Sequence, residues 1–378
     1  MYIISSYDKM QLTGDMAVNY RQEANFFWLT KINHPGWMVV RDEVGVDRLV
    51  RPEVSEIETQ FDGYLSDEEA VLLSGIKEVW SRSEFDDWLV SLEQGSEVGA
   101  LKPLASEDYG MVMNPSDERV WRMVEEAGHQ PRDIRSDFAK QRAIKTQAEV
   151  ELMQESIDLT AEMLSKVKSG ISSYESEAEL AADITAGFMR DGAIHAYDPI
   201  VAGGGNACTL HYVANNQPLS SGQMVLIDVG ASIGGYNADL TRTFAIGEVS
   251  ERYRAVHMAV ERILKTVINL IRPNLTFKDY MTKVDEIVLS ELVGLGLADG
   301  VDDKSSLRRY MPHSISHGLG IDVHESLSPH EEFQPGMILT VEPGIYIPDE
   351  NIGVRIEDNI LVTEDGHLNM SAHLPTSM

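Results

Sequence analysis

The chain has one cysteine in 378 residues, Cys208. No internal disulfide can form, which fits a reducing compartment. No apolar run approaches the ~18 residues that a membrane span needs. The opening stretch, MYIISSYDKMQL, lacks the basic start and apolar core of a secretory signal. The expectation is a cytoplasmic protein. Basic residues are scarce: Lys+Arg number 31 against 61 Asp+Glu, a net charge of −30. That argues against nucleic acid and anionic membrane as partners, since both are held by basic patches. The acid excess implies a heavily solvated surface or, more sharply, adaptation to high internal salt. Short repeats and low-complexity tracts are missing too. The glycines of 203–205 are not followed by the Lys-Ser/Thr of a phosphate loop.

What is present suits a two-domain globular chain, with 43% hydrophobic and 24% charged residues. The first part, to about 135, mixes short apolar runs (GWMVV at 36–40, AVLLSGI at 70–76) with helical stretches at 84–97 and 114–133. In the first of these Phe85, Trp88, Leu89 and Leu92 share a face. The second starts at a Ser/Asp cap and stops at Gly128 and Pro131. HQPRDIRSD (129–137) reads as the link, which divides the chain into an N-terminal domain at 1–135, a linker at 136–145 and a second domain at 146–378. A long helix then follows a Thr146–Glu149 capping box and ends at Gly170. Further helices are expected near 175–190, 251–271 and 276–295, with a β-rich final third. The order of elements is α+β and not a regular βαβ alternation.

The chemistry lies in acids at odd places. An apolar run, Met224-Val225-Leu226-Ile227, ends on Asp228, and Asp239 follows beyond Gly234-Gly235. A hairpin turning at Ile233-Gly234 sets Asp228 directly opposite Asp239, on one face. A second hairpin within 339–362, turning at Asp349-Glu350, sets Glu342 opposite Glu357. Between them MPHSISHGLGIDVHE (311–325) carries His313, His317 and His324, while His211 lies earlier in GGGNACTLHY. Paired buried carboxylates repel strongly unless a cation sits between them. Four such acids with at least one imidazole make a donor set for two divalent ions, Mn²⁺ most naturally, with Co²⁺, Zn²⁺ or Fe²⁺ compatible. Taken singly, each acid reads as a turn former and each histidine as a satisfied structural residue. The arrangement as a whole does not. Cys208 reads as a packing residue rather than a nucleophile.

With their flanking residues these positions resemble the pita-bread metallopeptidases, in the aminopeptidase P and prolidase branch. The matching pieces are LHY (210–212), IDVGASIGGYNADLTRT (227–243), HSISHGLGIDVHE (313–325), TVEPGIYI (340–347) and GVRIEDNILVT (353–363), in the family's order. YRQEANFFWLT (20–30) is similar to the non-catalytic domain of aminopeptidase P. The resemblance implies an α+β fold: a C-terminal pita-bread catalytic domain preceded by a smaller mixed α/β domain. It implies Asp228, Asp239, His317, Glu342 and Glu357 as ligands of two metal ions, with Asp239 and Glu357 bridging. His211 and His324 would flank the substrate, Glu342 would shuttle protons, and Arg355, Tyr346 and His313 would support the site.

The implied activity is hydrolysis of an N-terminal Xaa-Pro bond, on peptides with proline second, by a homo-oligomer, at least a dimer. A dipeptidase remains open: Ser314 leans to prolidase-like members, whereas the N-terminal domain leans to aminopeptidase P. An inactive pita-bread binding module is disfavoured because all five ligand positions are kept. Methionine aminopeptidase normally lacks an N-terminal domain of ~130 residues, and creatinase lacks the metals.

Overall fold

The computed structural model describes residues 1–104 and 110–378. It divides into two compact units, Met1–Phe138 and Ala139–Met378.

The first unit is built on β1 (Tyr2–Ser5), β4 (Met38–Arg41), β5 (Asp47–Val50), β6 (Val79–Trp80), β7 (Glu97–Ala100) and β8 (Gln130–Asp133), with β2 (Gln11–Thr13) and β3 (Met16–Ala17) forming a separate hairpin. The sheet order is β6-β5-β4-β1-β7-β8. Pairing is antiparallel at β1/β4 and β4/β5 and parallel at β5/β6, β1/β7 and β7/β8. Its inner strands β1, β4, β5 and β7 bury side chains on both faces, which explains apolar runs such as Met38-Val39-Val40. Ile3, Val40, Val50 and Val98 meet Phe85 and Leu89 of α4 (Arg82–Ser91) and Val120 and Val124 of α5 (Ser116–Glu126). Ile4, Val39 and Leu49 meet Phe26 of α1 (Ala24–Thr30), Ala70 of α3 (Asp67–Ser74) and Phe138 of α6 (Arg135–Arg142). Among the described residues of this unit, the remaining helix, α2 (Glu56–Asp62), buries none of its side chains.

Several expectations here need correction. The 84–97 stretch is helix only to Ser91, because its end turns into β7. The next helix begins at Ser116 after Pro115, with no side-chain cap, and stops at Glu126. AVLLSGI runs from the second half of α3 through its C-cap Gly75, and Leu72 and Leu73 are exposed. The polar stretch expected as the link forms β8 and α6: backbone pairing with β7 and burial of Phe138 override its loop-like composition. Residues 136–145 are therefore largely helix, and the division between the units falls inside α6.

The second unit opens with α7 (Gln147–Ser169), whose Thr146–Glu149 capping box forms as expected, and α8 (Glu177–Arg190). Next come β9 (Ile194–His195), β10 (Ile200–Gly203), β11 (Met224–Val229), β12 (Ala231–Ile233), β13 (Tyr236–Asn237) and β14 (Leu240–Ala245). Helices α9 (Glu251–Ile268), α10 (Phe277–Gly294) and α11 (Lys304–Tyr310) precede β15 (Ile338–Val341), β16 (Gly344–Ile347), β17 (Ile352–Arg355), β18 (Asp358–Val362) and β19 (His367–Asn369). Helices α7 and α8 pack on the β10–β14 side through Ile157, Leu164, Leu180, Ile184 and Phe188. Helices α9 and α10 pack on the β15–β18 side through Val260, Ile263, Val284 and Val288. Each half is a helix pair laid over a hairpin.

Both hairpins are interrupted midway. In the first, β11 pairs with β14 with Asp228 opposite Thr241, and β12 pairs with β13 with Ile233 opposite Tyr236. The turn is Gly234-Gly235, φ 56° and 82°, as a two-residue turn with positive φ at both central positions demands. The expected pairing of Asp228 with Asp239 is thus off by two residues. Asp239 stands diagonal to Asp228, and because side chains alternate with period two both still occupy one face. In the second hairpin Val341 faces Asp358 and Gly344 faces Arg355. That register runs through the gap between the ladders as expected, so Glu342 meets Glu357.

Candidate active site

The interruptions put carboxylates where a ladder would put backbone pairs. At the first break a Cβ on Gly230 would lie 1.9 Å from the Ala238 carbonyl oxygen, so only glycine permits that crossing. The backbone of Asp239, freed from the ladder, is paired instead by the Asn359 side chain, whose Oδ1 accepts from Asp239 N at 3.2 Å and whose Nδ2 donates to Asp239 O at 2.6 Å. At the second break Pro343 has no N–H to give a ladder, and Glu357 N donates to Thr241 O at 3.0 Å. The two hairpins are joined there. The segment carrying His317 runs beside β15: Thr340 N donates to His317 O and Glu342 N to Ile315 O, both at 2.9 Å.

These contacts bring the acids together with the histidines. His317 Nε2 stands 3.2 Å from Glu342 Oε1 and 3.6 Å from Asp239 Oδ2. Donor atoms of Asp228, Asp239 and Glu357 lie within 4.8 Å of one another, as do those of His317, Glu342 and Glu357 and those of Asp239, His317 and His324. The His317 and His324 rings are 4.3 Å apart, centroid to centroid. Arg355 donates to Asp228 Oδ2 at 2.5 Å, to Tyr346 Oη at 2.7 Å and to Thr241 Oγ1 at 3.2 Å. Tyr346 Oη lies 2.9 Å from His313 Nε2, whose Nδ1 faces the Ser314 carbonyl at 2.8 Å. All these side chains except Thr241 and Tyr346, together with His211, line one cavity of about 340 Å³, beside the apolar Ile200, Leu210 and Val323. Of the residues expected at the site, all but Tyr346 line this cavity, and Tyr346 bonds to His313 and Arg355, which do.

The electrostatics are those of a site one charge type short. Burial, then the neighbouring Asp228, pushes the Asp239 carboxyl up to about 8. Burial and the charges of Asp239 and Glu342 push Glu357 well above the usual range. Burial opposes the charged form of His317, but its bond to Glu342 and the charge of Asp239 outweigh it and raise the ring to about 9. Burial likewise disfavours ionised Glu342, yet the hydrogen bond from His317 holds its carboxyl below the ordinary value. Carboxylates pressed together in this way are the donor set that divalent cations stabilise.

Further residues at the site escape the sequence reading. Tyr197 Oη sits 2.5 Å from both Asp228 Oδ1 and Asp239 Oδ1, and nothing in its surroundings, HAYDPI, marks it. Thr241 donates to Glu357 Oε2 at 2.7 Å. Strand alternation does point to it, since 239, 241 and 243 share a face. Beside His324, buried Glu325 accepts from Arg142 Nη2 at 2.6 Å, Lys145 Nζ at 2.8 Å and Ile321 N at 3.1 Å. Arg242 is fully buried and donates to the carbonyls of Thr241, Glu357, Leu374 and Pro375 and to Asp358 Oδ1.

The comparisons agree with this geometry. Metallopeptidase family M24 matches residues 151–364, and the aminopeptidase P N-terminal domain matches residues 1–99. The Xaa-Pro aminopeptidase of Haemophilus influenzae is 32% identical over 402 residues, covering 99% of this chain and 90% of its own. That of Escherichia coli K12 is 30% identical over 402 residues, covering 98% and 90%. The structure of zinc-substituted E. coli aminopeptidase P in complex with product superposes with a TM-score of 0.85 at 27% identity, over 99% of this chain and 91% of that one. With its M24 half holding the acid-lined cavity and an aminopeptidase P N-terminal domain ahead of it, the chain belongs to metallopeptidase family M24.

Proposed function

We propose that this metallo-exopeptidase is an Xaa-Pro aminopeptidase, removing the first residue of peptides whose second residue is proline. The observation that carries this is the convergence of four carboxylates and an imidazole, from two interrupted hairpins, in one cavity. The named relatives supply the substrate class. Asp228, Asp239, His317, Glu342 and Glu357 would hold two divalent ions, and the mutual repulsion recorded at Asp239 and Glu357 supports that fit. An oxygen-rich set with one imidazole suits Mn²⁺, with Co²⁺, Zn²⁺ or Fe²⁺ compatible. When bound, such ions lower the pKa of water and polarise a carbonyl.

The chain's own groups do the remaining work. Glu342, paired with His317 and 3.5 Å from His313 Nδ1, is placed to take a proton from the attacking water and return it to the leaving proline nitrogen. That nitrogen belongs to a tertiary amide with no N–H, so no acceptor is required there. Burial and the nearby His317 lower the pKa of His324, and a ring N–H there would stabilise the developing oxyanion. His211 lines the same cavity and would contact the substrate near the scissile bond. The His313–Tyr346–Arg355 chain holds Asp228 in place. The acidic floor attracts the substrate's terminal ammonium, which limits cleavage to the first residue.

Ser314, on the cavity wall, favours the alternative of a dipeptidase. A panel of Xaa-Pro dipeptides, Xaa-Pro-Yaa tripeptides and Met-Ala peptides with Mn²⁺ separates the readings. Tripeptide cleavage is expected. Cleavage of dipeptides alone establishes the alternative, and cleavage of Met-Ala peptides overturns the proline requirement. A cytoplasmic dimer is part of the same proposal, and sedimentation tests its stoichiometry.

A further inference from the structure

His211 reaches the cavity from the loop 203–217, outside both hairpins. Its ring receives no hydrogen bond among the described residues, so its position is that of the loop backbone. Behind the loop lies Glu177, the first residue of α8 and 0% exposed. Its Oε1 accepts from Gly203 N at 2.8 Å and Asn206 Nδ2 at 2.9 Å. Its Oε2 accepts from Tyr212 Oη and Gln217 N, both at 2.9 Å. Asn206 Nδ2 also reaches Tyr212 Oη at 3.2 Å, and Glu177 N donates to Gln217 O at 3.0 Å. One carboxylate thus gathers four donors from the start, middle and end of the loop, at a helix N-terminus whose dipole favours its charge. A buried ion is tolerated when its acceptor sites are filled this way.

We propose that Glu177 is a positioning residue for His211: its carboxylate fixes the 203–217 loop so that the ring faces the substrate. This rests on the reading of His211 as a substrate contact. A carboxamide cannot replace the carboxylate, because one of its two ends would present N–H groups to two donors.

The test is a double-mutant cycle of Glu177→Gln and His211→Ala on an Xaa-Pro-Yaa tripeptide, with metal content and melting temperature measured for each variant. Glu177→Gln is expected to lower kcat/KM by about ten- to a hundredfold, the scale of a misplaced contact group, while metal content is unchanged. In the His211→Ala background it should cost nothing further. Multiplying effects in the double variant, or loss of metal with Glu177→Gln, overturns the proposal. Full activity of His211→Ala overturns instead the reading on which it rests. Should Glu177→Gln not fold, Tyr212→Phe removes one of the four bonds. A loss of activity that vanishes in the His211→Ala background supports the proposal, and one that persists there, or no loss at all, refutes it.

Discussion

The two hairpins of the catalytic unit reach similar ends by different chemistry. In the first, the ladder breaks because Gly230 lets the chain pass against the Ala238 carbonyl. In the second, it breaks at Pro343, which has no N–H to offer. Each break frees an acid to turn inward, and each repairs its backbone by borrowing from the other half: Asn359 serves Asp239, and the Thr241 carbonyl serves Glu357. The acids differ in partnership. Asp228 is paired closely with Arg355 and Glu342 with His317, whereas Asp239 meets His317 only at 3.6 Å, Glu357 accepts from Thr241, and both carry raised pKa values. The closely paired acids keep their charge through a neighbouring cation, and the other two resist ionisation until one is supplied.

That contrast breaks first at Asp239. Asp239→Ala is expected to abolish turnover and metal loading together, measured by peptide hydrolysis and elemental analysis. Full turnover in the purified variant removes the metal reading. Chelation should mimic it reversibly: EDTA inactivates and Mn²⁺ restores, and persistent activity in metal-free protein would falsify the mechanism. A smaller effect belongs to His324→Ala, which should lose ~10²–10⁴ in rate while keeping its metal. Loss of metal with an unchanged rate per loaded site moves His324 among the ligands.

Thr241→Val sharpens the comparison at the joint between the hairpins. It removes the bonds to Glu357 and from Arg355 at constant size, and about a tenfold fall in kcat/KM is expected, with none if the joint is backbone alone. The smallest effect lies behind β14, where His257 packs on the backbone of Thr243. Burial holds its pKa down from 6.5 to about 4. The unfolded chain therefore takes up the proton first as pH falls. The resulting stability is complete above about 6.5 and is lost as pH falls from there through about 4, by ~1–3 kcal/mol. Urea titrations across that window should show the slope, and His257→Leu should flatten it.

The four acids of the centre were legible because charged residues in apolar hairpins have few structural uses, whereas the choice of His317 among the histidines came only with the family resemblance. The second hairpin's register was legible because its polar turn is unambiguous. The first hairpin's register differs from its expectation by two residues because the turn requires positive φ twice, which Gly234-Gly235 supply and Ile233 does not. The face survived the error because strands alternate. The expected link failed because composition does not report pairing with β7. Tyr197, Glu177 and Glu325 were out of reach for another reason: most of their partners lie 26 to 183 residues away, and no local pattern encodes them.

Arg242 ties the active-site strands to a segment far from them in sequence. Its buried guanidinium donates to the carbonyls of Leu374 and Pro375 as well as to that of Glu357. Without those two acceptors a buried cation would keep unpaired N–H groups, so the segment at 374–375 works as a latch on the strand that presents Glu357.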